Sequence, residues 1–156
     1  MTIEIRTGDT FDPRVIALLD YHVAAARAQT APGSAHALDL AGLRASDVAF
    51  WTGWDGETLV ATGALKTLSA THGEVKSMHT LQTARRQGHG GRMLGHIIAE
   101  GRVRGLKRLS LETGSWDYFK PAHALYQAHG FVFCGPFEGY AEDPNSLFLT
   151  LDLTGH

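Results

Sequence analysis

The chain carries one cysteine, Cys134, so no internal disulfide can hold it, and a reducing, cytoplasmic setting is the expectation. Long apolar runs are also missing. None approaches the roughly 18–20 residues needed to span a bilayer, and no membrane partner is expected. The opening stretch MTIEIRTGDTFDP lacks a charged segment followed by an apolar one, so no secretory leader is expected. Net charge is only −2 and the pI about 6.5, which argues against a general nucleic-acid binder. Nine histidines are present, but none pairs at metal-like spacing on an expected helix or strand, and no metal site is expected. A Walker loop, Gly-Lys followed by Ser or Thr, is absent. A dinucleotide fingerprint begun at Gly88 would need glycine where Met93 stands.

What is present reads as one domain over residues 1–156, with 44% apolar and 19% charged residues and no repeat or linker. TIEIR alternates like a short strand. Asp12 and Pro13 suit the N-cap and first position of a helix with an apolar stripe from Val15 to Ala26. A short helix is expected near Leu40–Ala45. DVAFWTGWDG and ETLVATGALKTL then read as strands joined by a turn, and GEVKSMHTL as a third. A helix follows with Leu94, Ile97, Ile98 and Gly101 on one face, ended by Gly105. KRLSLET, the helix PAHALYQAHG, and the strands FVFCG and SLFLTLDL complete the chain, with Cys134 expected in a core strand. Three strands in succession exclude a doubly wound sheet, so the expectation is a mixed α/β domain.

The charge is unevenly placed. Seven of the fourteen basic residues fall between Arg85 and Arg108, where Glu100 is the lone acid, while Lys and Arg are absent beyond Lys120. Within the basic region, RRQGHGGRML puts Gly88, Gly90 and Gly91 where a helix begins. Glycine costs roughly 1 kcal/mol against alanine in a helix interior. Two readings share these residues: a tight turn, or an anion cradle in which unpaired helix N–H groups meet a phosphate with no Cβ in the way.

Arg85-x-x-Gly88-x-Gly90 follows a strand and opens a helix, and Ala122, Leu125, Tyr126, Gly130 and Phe131 come later in the pattern Ala-x-x-Leu-Tyr-x-x-x-Gly-Phe. This pair of motifs, in this order, resembles the GCN5-related N-acetyltransferases, the GNAT superfamily. The resemblance implies a mostly antiparallel central sheet flanked by helices. It implies acetyl-CoA as co-substrate, without a metal, and an acetyl group passed directly to a primary amine of a small molecule or peptide. It places the pyrophosphate on the backbone from Gln87 to Gly91, with Arg85 and Arg86 adding charge and His89 within the cradle. Met78, His79 and Thr80 would pair their backbone with the pantetheine arm. Homodimers are ordinary in the superfamily.

By the same resemblance Tyr126 matches a tyrosine near the CoA sulfur, suited to protonate the leaving thiolate; a core tyrosine is the other reading. Glu74 matches a glutamate that removes the amine's proton, with His79 as the alternative base. Strand alternation sets Glu74, Lys76 and Met78 on one face. The family's usual Asn before the second motif is Phe119 here. The acceptor region is expected to involve Tyr21, His22, Trp51, Trp54, Trp116, Tyr118 and the loop PFEGYAEDPNS. Its Glu138, Glu142 and Asp143 suit a cationic amine. Two other readings stay open: an acyl-CoA sensor without chemistry, and a protein acetyltransferase working with a partner.

Overall fold

The first helix shows how local sequence sets the frame. Asp12 Oδ1 accepts the Arg14 main-chain N–H at 2.8 Å, and Pro13 opens the helix where its missing N–H costs nothing. The computed structural model describes residues 3–28, 40–81 and 88–154. Its elements run β1 (Glu4–Thr7), α1 (Pro13–Ala28), α2 (Leu40–Leu43), β2 (Val48–Asp55), β3 (Thr58–Thr67), β4 (His72–Thr80), α3 (His89–Val103), β5 (Arg108–Gly114), α4 (Lys120–Ala128), β6 (Val132–Cys134) and β7 (Ser146–Asp152). The expected order holds throughout, including the three successive strands.

The strands form one sheet in the order β1-β2-β3-β4-β5-β7-β6. Every neighbouring pair is antiparallel except β4 and β5. Those two are parallel because the chain between them crosses over through α3. Each face of the sheet carries its own core. On one, Met93, Leu94, Ile97 and Ile98 of α3 pack with Leu65, Val75, Leu109, Leu111, Leu149 and Phe131. On the other, Val15, Leu18 and Leu19 of α1 pack with Phe50, Trp54, Leu59 and Ala64. Each such side chain, fully buried, contributes about 1.5–3 kcal/mol, so the two cores pin both helices to the sheet. Among the described residues no helix is long and apolar enough to cross a membrane.

Three expectations need correction. Cys134 is exposed, because β6 is the short last strand of the sheet and all three of its residues face solvent. Trp51 is buried in the α3-side core, edge-on to His96 at 5.1 Å between ring centroids. Trp54 is buried in the α1-side core, its Nε1 donating to Thr52 Oγ1. Both tryptophans are buried among core side chains, and the Arg14 guanidinium covers the Trp54 ring at 4.4 Å.

Candidate active site

The site begins where two strands part. Pairing between β4 and β5 runs from His72↔Arg108 to Glu74↔Ser110 and goes no further, although β4 continues to Thr80 and β5 to Gly114. The cause lies in β4. Its register with β3 slips between Lys76↔Ala64 and His79↔Thr62, so Ser77 and Met78 together stand opposite Gly63. Ser77 takes φ +54, and its carbonyl accepts the Thr62 hydroxyl at 2.8 Å. Such a bulge bends a strand and increases its twist, which carries the end of β4 away from β5.

The bulge also overturns the expected facing. Thr62, Ala64 and Lys66 share one face of β3, so their partners His79, Lys76 and Glu74 share one face of β4. Met78 falls on the other face, its sulfur beside Gly63 with Met93 and Ile97. His79, not Met78, therefore lies on the side of Glu74, where its ring meets that of Tyr21 from α1 at 5.7 Å.

The glycine stretch forms the mouth of α3. Gly88 is the N-cap at φ +82, a conformation that side chains disfavour, and no side chain caps the helix there. No acid stands in the first turn, so the positive dipole end of α3 is not offset from within the helix. Gly90 has a packing reason of its own: a Cβ there would stand 3.2 Å from Thr80 Oγ1 and 3.3 Å from Leu125. Thr80, Gly90 and α4 thus meet at one point. The His89 side chain is buried, and among the described residues neither ring nitrogen has a hydrogen-bond partner. Arg85, Arg86 and Gln87 lie outside the described residues, and so does the side chain of His22.

Glu74 is 3% exposed, not a solvated strand end. Its Oε2 accepts the Tyr140 hydroxyl at 2.6 Å and the Lys76 ammonium at 3.1 Å. Lys76 Nζ also donates to Tyr140 Oη at 3.0 Å. Burying a carboxylate costs several kcal/mol unless a cation and hydrogen bonds compensate, and here both do. Burial, then the Glu74 hydrogen bond and charge, hold the Tyr140 phenol well above its ordinary pKa, so it stays a donor. Two residues along, His72 Nε2 lies 2.7 Å from Ser110 Oγ, and burial lowers its pKa.

Tyr126 sits in the α3-side core, its ring 5.9 Å from that of Phe131. Burial, with a smaller contribution from the Glu112 charge, pushes its phenol far above the usual value and keeps it protonated. Phe119 rests on the end of β5, where a Cβ on Gly114 would overlap its ring at 2.2 Å. Where the family's Asn offers an amide, this chain covers backbone with an aromatic ring. Trp116 and Tyr118 are exposed, and Trp116 Nε1 donates to Asn145 Oδ1 at 3.1 Å. Glu138 and Glu142 are exposed, while Asp143 Oδ1 accepts from the main chain and amide of Asn145.

Sequence reasoning singled out Glu74 and missed Tyr140 as its partner. The tyrosine was legible only as one aromatic in an acidic loop, and no local pattern ties it to a strand far upstream.

The model of the Acetyltransferase (GNAT) family matches residues 14–131. The N-acetyltransferase YsnE of Bacillus subtilis (strain 168), itself uncharacterized, is 44% identical over 97% of this chain and 100% of its own length. The likewise uncharacterized N-acetyltransferase YedL of Escherichia coli (strain K12) is 46% identical over 96% of this chain and 94% of its own. An IAA acetyltransferase of Azospirillum brasilense is 41% identical over 74% of this chain and 75% of its own. Among solved structures, one named for acyl-CoA N-acyltransferase activity, from Klebsiella pneumoniae subsp. pneumoniae MGH 78578, superposes with a TM-score of 0.81 at 27% identity over 97% of each chain. A GNAT family acetyltransferase from Elizabethkingia anophelis with acetyl-CoA bound gives 0.70 at 18% identity, over 97% of this chain and 98% of that one.

Proposed function

This chain belongs to the GNAT acetyltransferase family and is an acetyltransferase, and from that premise we propose that it moves the acetyl group of acetyl-CoA to a primary amine of a small molecule or peptide, with Glu74 as base and Tyr126 as acid. The observation that carries this reading is the placement of a buried Glu74 at the point where β4 and β5 separate, on the strand whose far end, Thr80, packs at the helix mouth opened by Gly88.

The residues present fit the co-substrate. The main chain of Gly88 to Gly91 offers donors to a pyrophosphate, and Arg85, Arg86 and Gln87 precede it in sequence. Met78, His79 and Thr80 lie on β4 beyond its last pair with β5, Glu74↔Ser110, where an extended arm would run along the strand and its backbone could steady a thioester oxygen as it gains charge. Acetyl-CoA supplies the activated acetyl group; the protein supplies orientation and proton handling. Glu74 takes the proton from the acceptor's ammonium, and the freed lone pair attacks the thioester carbon. The C–S bond then breaks, and Tyr126, still a phenol at neutral pH, protonates the sulfur. The new amide nitrogen gives its second proton to water, from which Tyr126 recovers its own, while Glu74 releases the first to solvent.

A panel tests this: polyamines, aminoglycosides, amino acids, short peptides, and IAA because of the relative that acts on it, each with acetyl-CoA and thiol detection. Turnover of an amine supports the reading. Tight CoA binding with no thiol release across the panel would instead favour a sensor without chemistry.

A further inference from the structure

Glu74 offers two carboxylate oxygens, and its hydrogen bonds among the described residues all fall on one of them. Tyr140 Oη and Lys76 Nζ both donate to Oε2, at 2.6 and 3.1 Å, and bond to each other at 3.0 Å, closing a triangle. Oε1 takes no hydrogen bond among the described residues. The geometry points to Tyr140 as a positioning residue that, with Lys76, pins Glu74 by Oε2 and reserves Oε1 for the acceptor's proton. This assignment rests on the reading of Glu74 as base.

The delivery of Tyr140 argues for more than incidental contact. Its hydroxyl reaches Glu74 from 66 residues away, on a turn closed by its own N–H donating to the Phe137 carbonyl at 3.0 Å. The two central residues of that turn, Glu138 and Gly139, take φ +44 and +84. Holding a residue other than glycine there is a strain the surrounding contacts must offset. The Phe137 and Tyr140 rings both lie against Phe148, with centroids 5.9 and 5.5 Å away, and so fix the direction of the hydroxyl. Charge-assisted bonds of this kind are short and orienting, whereas a lone Lys76 ammonium would leave the carboxylate free to rotate. Other titratable groups bear on the same spot: His72 on β4, Lys66 across the register on β3, and Glu112 on β5.

The test needs no acceptor for its first part. Protein labelled with 13C at glutamate carboxyls is titrated by NMR, with Glu74→Gln assigning the resonance. Removing a donor to an ionised carboxylate disfavours the ion, so Tyr140→Phe is expected to move the Glu74 midpoint upward by about one pH unit. Gly139→Val, which breaks the turn without touching the ring, is expected to do the same. Tyr140→Phe should also lower kcat for the panel amine that turns over fastest while leaving KM for acetyl-CoA unchanged. A midpoint unmoved in both variants overturns the positioning role, and leaves the base reading standing if Glu74→Gln has lost the rate. Wild-type turnover by Glu74→Gln overturns the base reading, and this assignment with it.

Discussion

The hydroxyl of Tyr140 donates to Oε2 of Glu74 at 2.6 Å, joining the loop before β7 to the first residues of β4. Glu74 is buried at its end of that bond, 3% exposed, with the Lys76 ammonium on the same oxygen.

If Glu74 takes the acceptor's proton, Glu74→Gln lowers the rate by about 10²–10⁴-fold near neutral pH. The loss should shrink toward pH 10, where a free amine needs no base. Initial rates from pH 6 to 10 with the best panel amine measure this. A loss of equal size at every pH would contradict the role.

Gly88→Val should weaken CoA binding by at least about tenfold, since φ +82 is strained for a β-branched residue. Gly88→Asn, which tolerates that conformation, should stay within a few-fold of wild type. Among the described residues a Cβ at this position meets the Arg92 guanidinium alone, at 3.6 Å, an ordinary contact rather than a clash. Isothermal titration with CoA separates the variants, and melting temperature checks that both fold.

Tyr126→Phe keeps the ring in its core and removes only the proton donor. The expected result is a kcat lowered by about 10²-fold with CoA affinity unchanged. An unaltered kcat would return Tyr126 to a packing role.

Asp12 provides a test of stability. Hydrogen bonds from the Arg14 side chain and main chain hold its carboxyl below the ordinary value of 3.8. A group lowered on folding adds stability above its unfolded pKa and loses it as pH falls through the folded one. Asp12→Ala should therefore reduce the urea midpoint at pH 7, and the difference from wild type should fade as the pH drops below about 3.9. A difference constant down to acid pH would show that the cap acts without its charge.

Much of this was legible in the chain itself. Asp12-Pro13 marked the start of α1, and the spacing of Leu94, Ile97, Ile98 and Gly101 marked the buried face of α3. These signals are local, since capping and helical periodicity act within a few residues. The motif around Gly88 likewise named the mouth of α3, because a left-handed N-cap selects for glycine at one position. Alternation puts Met78 on the face of Glu74, which fails because it assumes an unbroken strand and the Ser77 bulge breaks it. Cys134 was misplaced because an apolar run reads alike in a central strand and an edge strand.

Sequence alone determined the elements, their order and the family to which they belong, because each rests on contacts within a turn or a motif. Tertiary structure decided which oxygen of Glu74 is held, which histidine shares its face and where β4 leaves β5. Those depend on a one-residue slip between strands and on a loop folded back across the sheet, and neither leaves a periodic trace in the chain.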